Sequence, residues 1–306
     1  VTDRVVALFG PTASGKTAVA VALAERLDGE VISADSMQVY RGLERLTNQP
    51  DEQERRGVPH HLLGCVEPST AYDVATYAAA ARAAVDDVLR RGRTPIVAGG
   101  SGLYLRAALA DLDFPGRPSP DERAALTAEI ASLEPSAAHA RLTAIDPVAA
   151  ARIAPADRRR IVRALELAAE GRSLAPAGDD RLWEDDTRHP TLLVALRVSR
   201  ATLHARIDER TPLLLERGGV EEVRRLLAAD PPPAATVLQA HGVADVAALL
   251  AGEIELPACV ARLAARTRQY AKRQDTWRRR LRHAVDVDGE HEAGAIADEI
   301  ARRLAR

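Results

Sequence analysis

Lysine is almost missing from this chain: of 42 basic residues only Lys16 and Lys272 are lysine, and every other cation is arginine. With abundant alanine, that bias marks a GC-rich genome, and it makes a surviving lysine a candidate for a position where a guanidinium fork does not substitute. Aromatic residues supply 3% of the sequence, and cysteine occurs twice, at Cys65 and Cys259. Two distant thiols exclude a zinc site and a disulfide framework, so a reducing cytoplasm is the expected compartment. No apolar run approaches the roughly eighteen residues of a membrane span, and no basic-then-apolar leader opens the chain. Neither export nor a membrane is expected. The net charge is only −2, which excludes a global field steering the protein onto nucleic acid; such binding has to come from a local patch. The 306 residues leave room for one large α/β domain or two smaller ones around a real core.

What is present begins with Val5-Val6-Ala7-Leu8-Phe9, an apolar strand, followed by Gly10-Pro11-Thr12-Ala13-Ser14-Gly15-Lys16-Thr17 and a helix from about Lys16 to Leu27. The eight residues fit G-x-x-x-x-G-K-[ST] in its required strand-to-helix setting. Glycines let backbone N–H groups face one anion, the helix N-terminus adds positive potential, Lys16 adds a point charge, and the Thr17 hydroxyl can hold Mg²⁺. The stretch is a phosphate grip. ATP and GTP are its usual guests, yet any diphosphate offers the same charge, so its occupant must be read elsewhere.

A second strand over Glu30–Ala34 delivers Asp35-Ser36-Met37-Gln38-Val39-Tyr40 to the carboxyl end of the sheet, where open α/β sheets bind ligands. Asp35 there can be a general base, a ligand to metal-bound water or a helix cap. Residues 41–70 read as irregular, and His60-His61, pointing to opposite sides of an extended segment, read as packing rather than a metal site. A helix over Tyr72–Arg91 and a strand over Thr94–Ala98 lead to Gly99-Gly100-Ser101-Gly102-Leu103-Tyr104, a second glycine-rich turn. It is either a tight turn or a place where backbone approaches ligand, with Ser101 facing the same mouth as Asp35. A linker-like run near Phe114–Pro120 opens a helical segment, and a polar stretch from Ser173 to Asp186 closes it before the strand Thr191–Leu196 resumes the sheet. Residues 111–185 are therefore expected to be a helical insertion in one α/β core spanning 1–110 and 186–306. Beyond Arg200 the chain reads as almost wholly helical, with Arg206 and Arg210 sharing a face within reach of a phosphate. Its last long helix, 257–282, carries eight cations, one anion and two aromatics over Arg266–Arg282. That is either a nucleic-acid track or a snorkelling amphipathic helix.

Gly10–Thr17, Asp35–Tyr40, Gly99–Tyr104, the Asp157–Glu166 run, Gly219-Val220-Glu221-Glu222-Val223 and Tyr270-Ala271-Lys272-Arg273-Gln274-Asp275-Thr276-Trp277, in that order, resemble the tRNA dimethylallyltransferase family. The resemblance implies a P-loop NTPase-like α/β core with a parallel sheet, an inserted all-helical tRNA-binding domain and a helical C-terminal region. It implies transfer of a dimethylallyl group from dimethylallyl diphosphate, with Mg²⁺, to N6 of the adenosine 3′-adjacent to the anticodon of tRNA. Gly10, Pro11, Thr12, Ala13, Ser14, Gly15, Lys16 and Thr17 would hold the diphosphate, with Thr17 on the metal and Arg210 closing over the same group. Asp35 would be the base and Ser101, where the family commonly has threonine, would aim N6. Contacts to the anticodon stem-loop are implied for Asp35, Ser36, Met37, Gln38, Ser101, Arg123, Arg159, Arg160, Ile161, Val162, Arg163, Gln239, His241, Gly242, Lys272 and Arg273. No protein partner is implied, and a monomer is expected. The chain departs from the family pattern at Arg45–Pro50, where a G-T-A-K-P-like run is usual, and at His241-Gly242-Val243, where G-Y is common. Other readings are a P-loop kinase, a prenyltransferase of free adenosine nucleotides, and an RNA-binding protein without transfer chemistry.

Overall fold

The computed structural model describes residues 4–114, 118–174 and 186–305. They form two compact units, Val1–Leu112 with Asp185–Arg306, and Asp113–Glu184.

The first unit is built on six parallel strands in the order β3-β2-β4-β1-β5-β6. These are β1 (Val5–Phe9), β2 (Gly29–Ala34), β3 (His60–His61), β4 (Thr94–Gly99), β5 (Thr191–Arg197) and β6 (Val285–Asp288). The apolar runs of β1, β2 and β4 are buried almost without interruption, as parallel strands covered on both faces must be. Val6 and Leu8 pack into one core with α1 (Lys16–Leu27) and α13 (Ala293–Leu304). Strand alternation turns Val5, Ala7 and Phe9 to the other face, and α3 (Val74–Arg90) and α4 (Gly102–Leu109) also pack on the sheet. Register then does the positioning: Phe9 pairs with Gly99, and Gly99 with Ala34. Three strand ends finish level, so the loops after them leave the sheet side by side.

A second apolar core in this unit joins the segment after β2 to the helices α10 (Val220–Leu227), α11 (Val243–Leu250) and α12 (Leu256–Arg278), through Tyr40, Leu43, Leu46, Val223, Val246 and Leu263. α9 (Arg200–Leu214) packs along α12.

Two expectations are corrected. Residues 41–70 are not wholly irregular, since α2 (Glu52–Arg55) closes on a capping box from Asp51, and His60-His61 form β3 beside β2. His61 Nε2 lies 2.6 Å from Glu30 and His60 Nδ1 lies 2.9 Å from the Val58 carbonyl, consistent with a packing role. The region past Arg200 is almost wholly helical, but no strand was expected in it, and Val285-Asp286-Val287-Asp288 adds β6 to the edge of the sheet. Its period-two alternation was the available signal.

Glu30 is buried and accepts from Arg91 Nη2 at 2.8 Å and from Arg93 Nη1 at 2.6 Å. The Arg91 hydrogen bond, against the cost of burial and with help from His61, holds its carboxyl at about 2. A depressed carboxyl stabilises the fold above its unfolded value and loses that stabilisation as pH falls through the folded value. The thermal midpoint should therefore drop as pH falls from 4.5 towards about 2. Glu30→Gln should lower the midpoint at neutral pH and flatten this acid limb; an unchanged slope in a pH-resolved melting series would assign the acid sensitivity elsewhere.

The second unit is helical: α5 (Pro120–Ser132), α6 (Pro135–Ile145), α7 (Pro147–Ala150) and α8 (Arg158–Ala169). Its core gathers Ile130, Leu142, Ile153, Ile161 and Leu165. Arg158 donates to the carbonyls of Ile130, Ala131 and Leu133, satisfying the open end of α5. Most of the polar stretch from Ser173 to Asp186 lies outside the described residues.

Candidate active site

The loop after β1 enters α1 through Gly15, whose φ of 82° lies in the left-handed region. Glycine takes that conformation without the Cβ clash other residues meet. No side chain caps α1, so the N–H groups of its first turn remain open for an anion. Two arginines from α9 grip the outside of the loop: Arg206 Nη1 donates to the Ala13 carbonyl at 3.2 Å and Arg210 Nη2 to Thr12 Oγ1 at 2.9 Å. Arg210 Nε is buried with no partner among the described residues. A buried, unpaired guanidinium N–H is expensive unless a ligand completes it, and burial pushes the Arg210 pKa down.

Lys16 is brought to about 8, first by burial, then by the neighbouring charge of Arg210, with Asp35 opposing both. Asp35 Oδ1 accepts from the backbone N–H of Met37 at 2.8 Å and of Gln38 at 3.3 Å. No helix follows Asp35, so it is not a helix cap; the two bonds close a turn instead and use only one oxygen, and Oδ2 has no protein partner among the described residues. Lys16, Thr17, Asp35 and Arg210 line one cleft of about 940 Å³. Its walls also include Met37, Leu46, Leu263, Gln239, His241 and Tyr270, the last two in tilted ring contact at 42° with centres 4.9 Å apart.

Not every expected residue reaches this cleft. Ser101 is buried, caps α4 by accepting from Tyr104 N–H at 3.4 Å, and is absent from the cleft lining. Gln38 lines it, but its amide donates to the carbonyls of Thr47 and Asn48, holding the loop that departs from the family pattern. Ile161 and Val162 are corrected: both lie in the core of the second unit, 0% and 4% exposed, so their side chains offer no RNA contact. Arg123 and Arg163 both pair with buried Glu166 in the same unit, whereas Arg159 and Arg160 are exposed on α8. The basic stripe on α12 is weaker than the sequence suggests, because Arg266, Arg268, Arg278 and Arg279 pair with Asp245, Asp208, Asp275 or Asp286. Lys272 has no ion-pair partner among the described residues, and Arg273 lies 5.6 Å over the Tyr270 ring.

Two residues with no assigned role in the sequence reading hold the site together. Glu222 is buried and accepts from the backbone N–H groups of Arg45 and Leu46 at 2.7 and 2.8 Å, anchoring the loop beyond Tyr40. Gln274 joins the two glycine-rich loops, accepting from Thr12 N–H at 2.8 Å and donating to the Gly100 carbonyl at 2.9 Å. Its signal was available: Gln274 continues the buried face of Leu263 and Ala271 at helical spacing.

Residues 38–281 match the family described as IPP transferase, and residues 3–64 match Isopentenyl transferase. A tRNA dimethylallyltransferase of Anaeromyxobacter dehalogenans is 47% identical over 98% of this chain and 100% of its own. Among solved structures, the tRNA delta(2)-isopentenylpyrophosphate transferase of Staphylococcus epidermidis superposes with a TM-score of 0.72 at 30% identity, over 99% of this chain and 98% of that one. A eukaryotic dimethylallyltransferase, described in snapshots of it acting on tRNA, gives 0.78 at 28% identity over 98% of this chain and 78% of that one. Match length, identity and fold agree from one end of the chain to the other, and the chain belongs to the IPP transferase family.

Proposed function

We propose that the chain transfers a dimethylallyl group from dimethylallyl diphosphate to N6 of the adenosine 3′-adjacent to the anticodon of tRNA, releasing diphosphate. The observation that carries this reading is one cleft holding the phosphate-binding cations Lys16 and Arg210 together with the unpaired Asp35 Oδ2. The open N–H groups of α1, Lys16 and the unpaired Arg210 Nε suit the diphosphate of the donor. As the N6 lone pair bonds to the first prenyl carbon, the carbon–oxygen bond breaks and its electron pair leaves with the diphosphate. Charge grows on the departing oxygens, where fixed cations lower the barrier most. The amine nitrogen is weakly nucleophilic because its lone pair is delocalised into the ring; Asp35 Oδ2 takes the proton that N6 must lose. Ser101, buried as the cap of α4 and outside the cleft lining, has no part in this step.

The site suits Mg²⁺. Thr17 Oγ1 lies in the cleft with no protein hydrogen bond among the described residues, and Mg²⁺ favours such hard oxygens beside phosphate and water. When bound, the ion neutralises diphosphate charge.

An adenine leaves its stack at a cost of a few kcal/mol, which the apolar walls of the cleft and phosphate contacts offset. Lys272 and Arg273 are the cations of α12 placed for phosphate. RNA affinity should fall steeply with salt, and Lys272→Ala with Arg273→Ala should reduce the log–log slope by about 1 to 2. Fluorescence titrations over a salt series check this; an unaltered slope would remove α12 from the footprint.

The test of the activity is nucleoside mass spectrometry after incubation with dimethylallyl diphosphate, Mg²⁺ and either unmodified tRNA or free AMP. Prenylated adenosine from tRNA alone supports the proposal. Product from AMP shifts it to a free-nucleotide enzyme, and none from either would sink it.

A further inference from the structure

The α12 helix packs on the phosphate loop through Ala264 and Ala271 against Ala13, and Gln274 is the residue of α12 whose side chain hydrogen-bonds both loops. Its side chain is 2% exposed, with both ends of the amide engaged: Oε1 with Thr12 N–H and Nε2 with the Gly100 carbonyl. The fit is tight enough to dictate a neighbour. A Cβ on Gly100 would lie 2.1 Å from Gln274 Nε2, so the second glycine loop is shaped by this contact as well as by its own turn. The Thr12 N–H is likewise committed to Gln274 instead of to a phosphate, and the same residue's hydroxyl accepts from Arg210. The apex of the phosphate loop is therefore held from two helices, α9 through Arg206 and Arg210, and α12 through Gln274.

From this geometry we infer that Gln274 is a positioning residue that sets the distance between the donor's diphosphate grip and the loop carrying Ser101. It follows Lys272 and Arg273 directly, so RNA engagement of α12 reaches the phosphate loop through this buried amide beside the apolar packing of Ala13 on Ala264 and Ala271. This rests on the prenyl-transfer reading for its account of kcat. Its effect on the phosphate loop is independent of that reading, because the Thr12 contact exists without any acceptor.

Two substitutions separate the two ends of the amide. Gln274→Met keeps the volume and loses both hydrogen bonds; Gln274→Glu keeps an acceptor for Thr12 N–H but sets a carboxylate oxygen against the Gly100 carbonyl. The measurements are kcat and donor KM at saturating tRNA, tRNA affinity, thermal midpoint, and calorimetric binding of inorganic diphosphate with Mg²⁺. Gln274→Met should lower kcat about 10²-fold, the scale of a misplaced reacting group, and weaken diphosphate binding up to about tenfold, the worth of one net hydrogen bond. Its tRNA affinity should stay within about twofold of wild type. Gln274→Glu should lower kcat with little change in donor KM. That split between the variants is the signature of positioning, which loss of folded protein does not produce. Diphosphate binding and kcat both at wild-type level in Gln274→Met would overturn the inference, as would losses that track only the fraction unfolded. If Gln274→Met does not fold, Gln274→Glu decides alone: a wild-type kcat overturns the inference. Wild-type protein that makes no prenylated product would instead sink the functional reading, while diphosphate binding still decides the role of Gln274 at the phosphate loop.

Discussion

Asp35→Asn will lower the turnover of prenyl transfer about 10²–10⁴-fold, the span of a lost general base, and will leave tRNA affinity almost unchanged. Asparagine is the informative choice. Asp35 Oδ1 accepts from the backbone of Met37 and Gln38, and an asparagine carbonyl accepts the same two bonds, so the turn survives. What disappears is the basicity of Oδ2. Asp35→Ala removes both, and its further loss over Asp35→Asn measures the worth of the turn. Single-turnover rates with bound tRNA, beside equilibrium binding, separate chemistry from affinity. An Asp35→Asn protein with wild-type turnover would take the base role away from this residue and leave it the turn alone.

The second large effect belongs to the cations of the phosphate grip. Lys16→Met and Arg210→Met should each lower kcat about 10²–10³-fold, as loss of one fixed stabiliser of developing negative charge typically does. The pair should be less than additive, because both act on one leaving group. Lys16 also predicts a pH limb. Burial, and then Arg210, hold it at about 8 against the pull of Asp35, so it is a cation below that value and is neutralised as pH rises through it. Since kcat/KM for the donor reports the free enzyme, it should fall above pH about 8. Lys16→Arg, whose charge does not titrate in this range, should lack that limb. A wild-type profile flat through this pH would place the essential cation elsewhere.

Local chemistry made much of this site legible. Gly10–Thr17 could be read because strand, glycine turn and helix are adjacent in sequence, and each is governed by local backbone preferences. Asp35 could be placed near it because strand ends in open α/β sheets share one edge. The arginines of α12 could be counted, but not their partners: Asp208 and Asp245 lie on other helices, and only folding brings them to Arg268 and Arg266. For the same reason Ile161 and Val162 looked available within an arginine-rich run while lying on the buried side of α8. Glu222 and Gln274 were visible as residues of conspicuous segments. Their tasks were not, because each holds backbone groups distant in sequence, Arg45 and Leu46 in one case, Thr12 and Gly100 in the other.

By itself the sequence determined the elements and their chemistry: a phosphate grip ending in Lys16 and Thr17, a carboxylate at the end of the next strand, a second glycine turn and a basic terminal helix. Hydrogen bonding within helices, strand alternation and turn stereochemistry act over a few residues, so they are written where they operate. Only the tertiary structure decided that Phe9, Gly99 and Ala34 finish in register, that β6 closes the edge of the sheet, and that one buried amide ties two loops together. Those outcomes depend on which distant surfaces exclude water together, a property of the packed chain and of no single stretch of it.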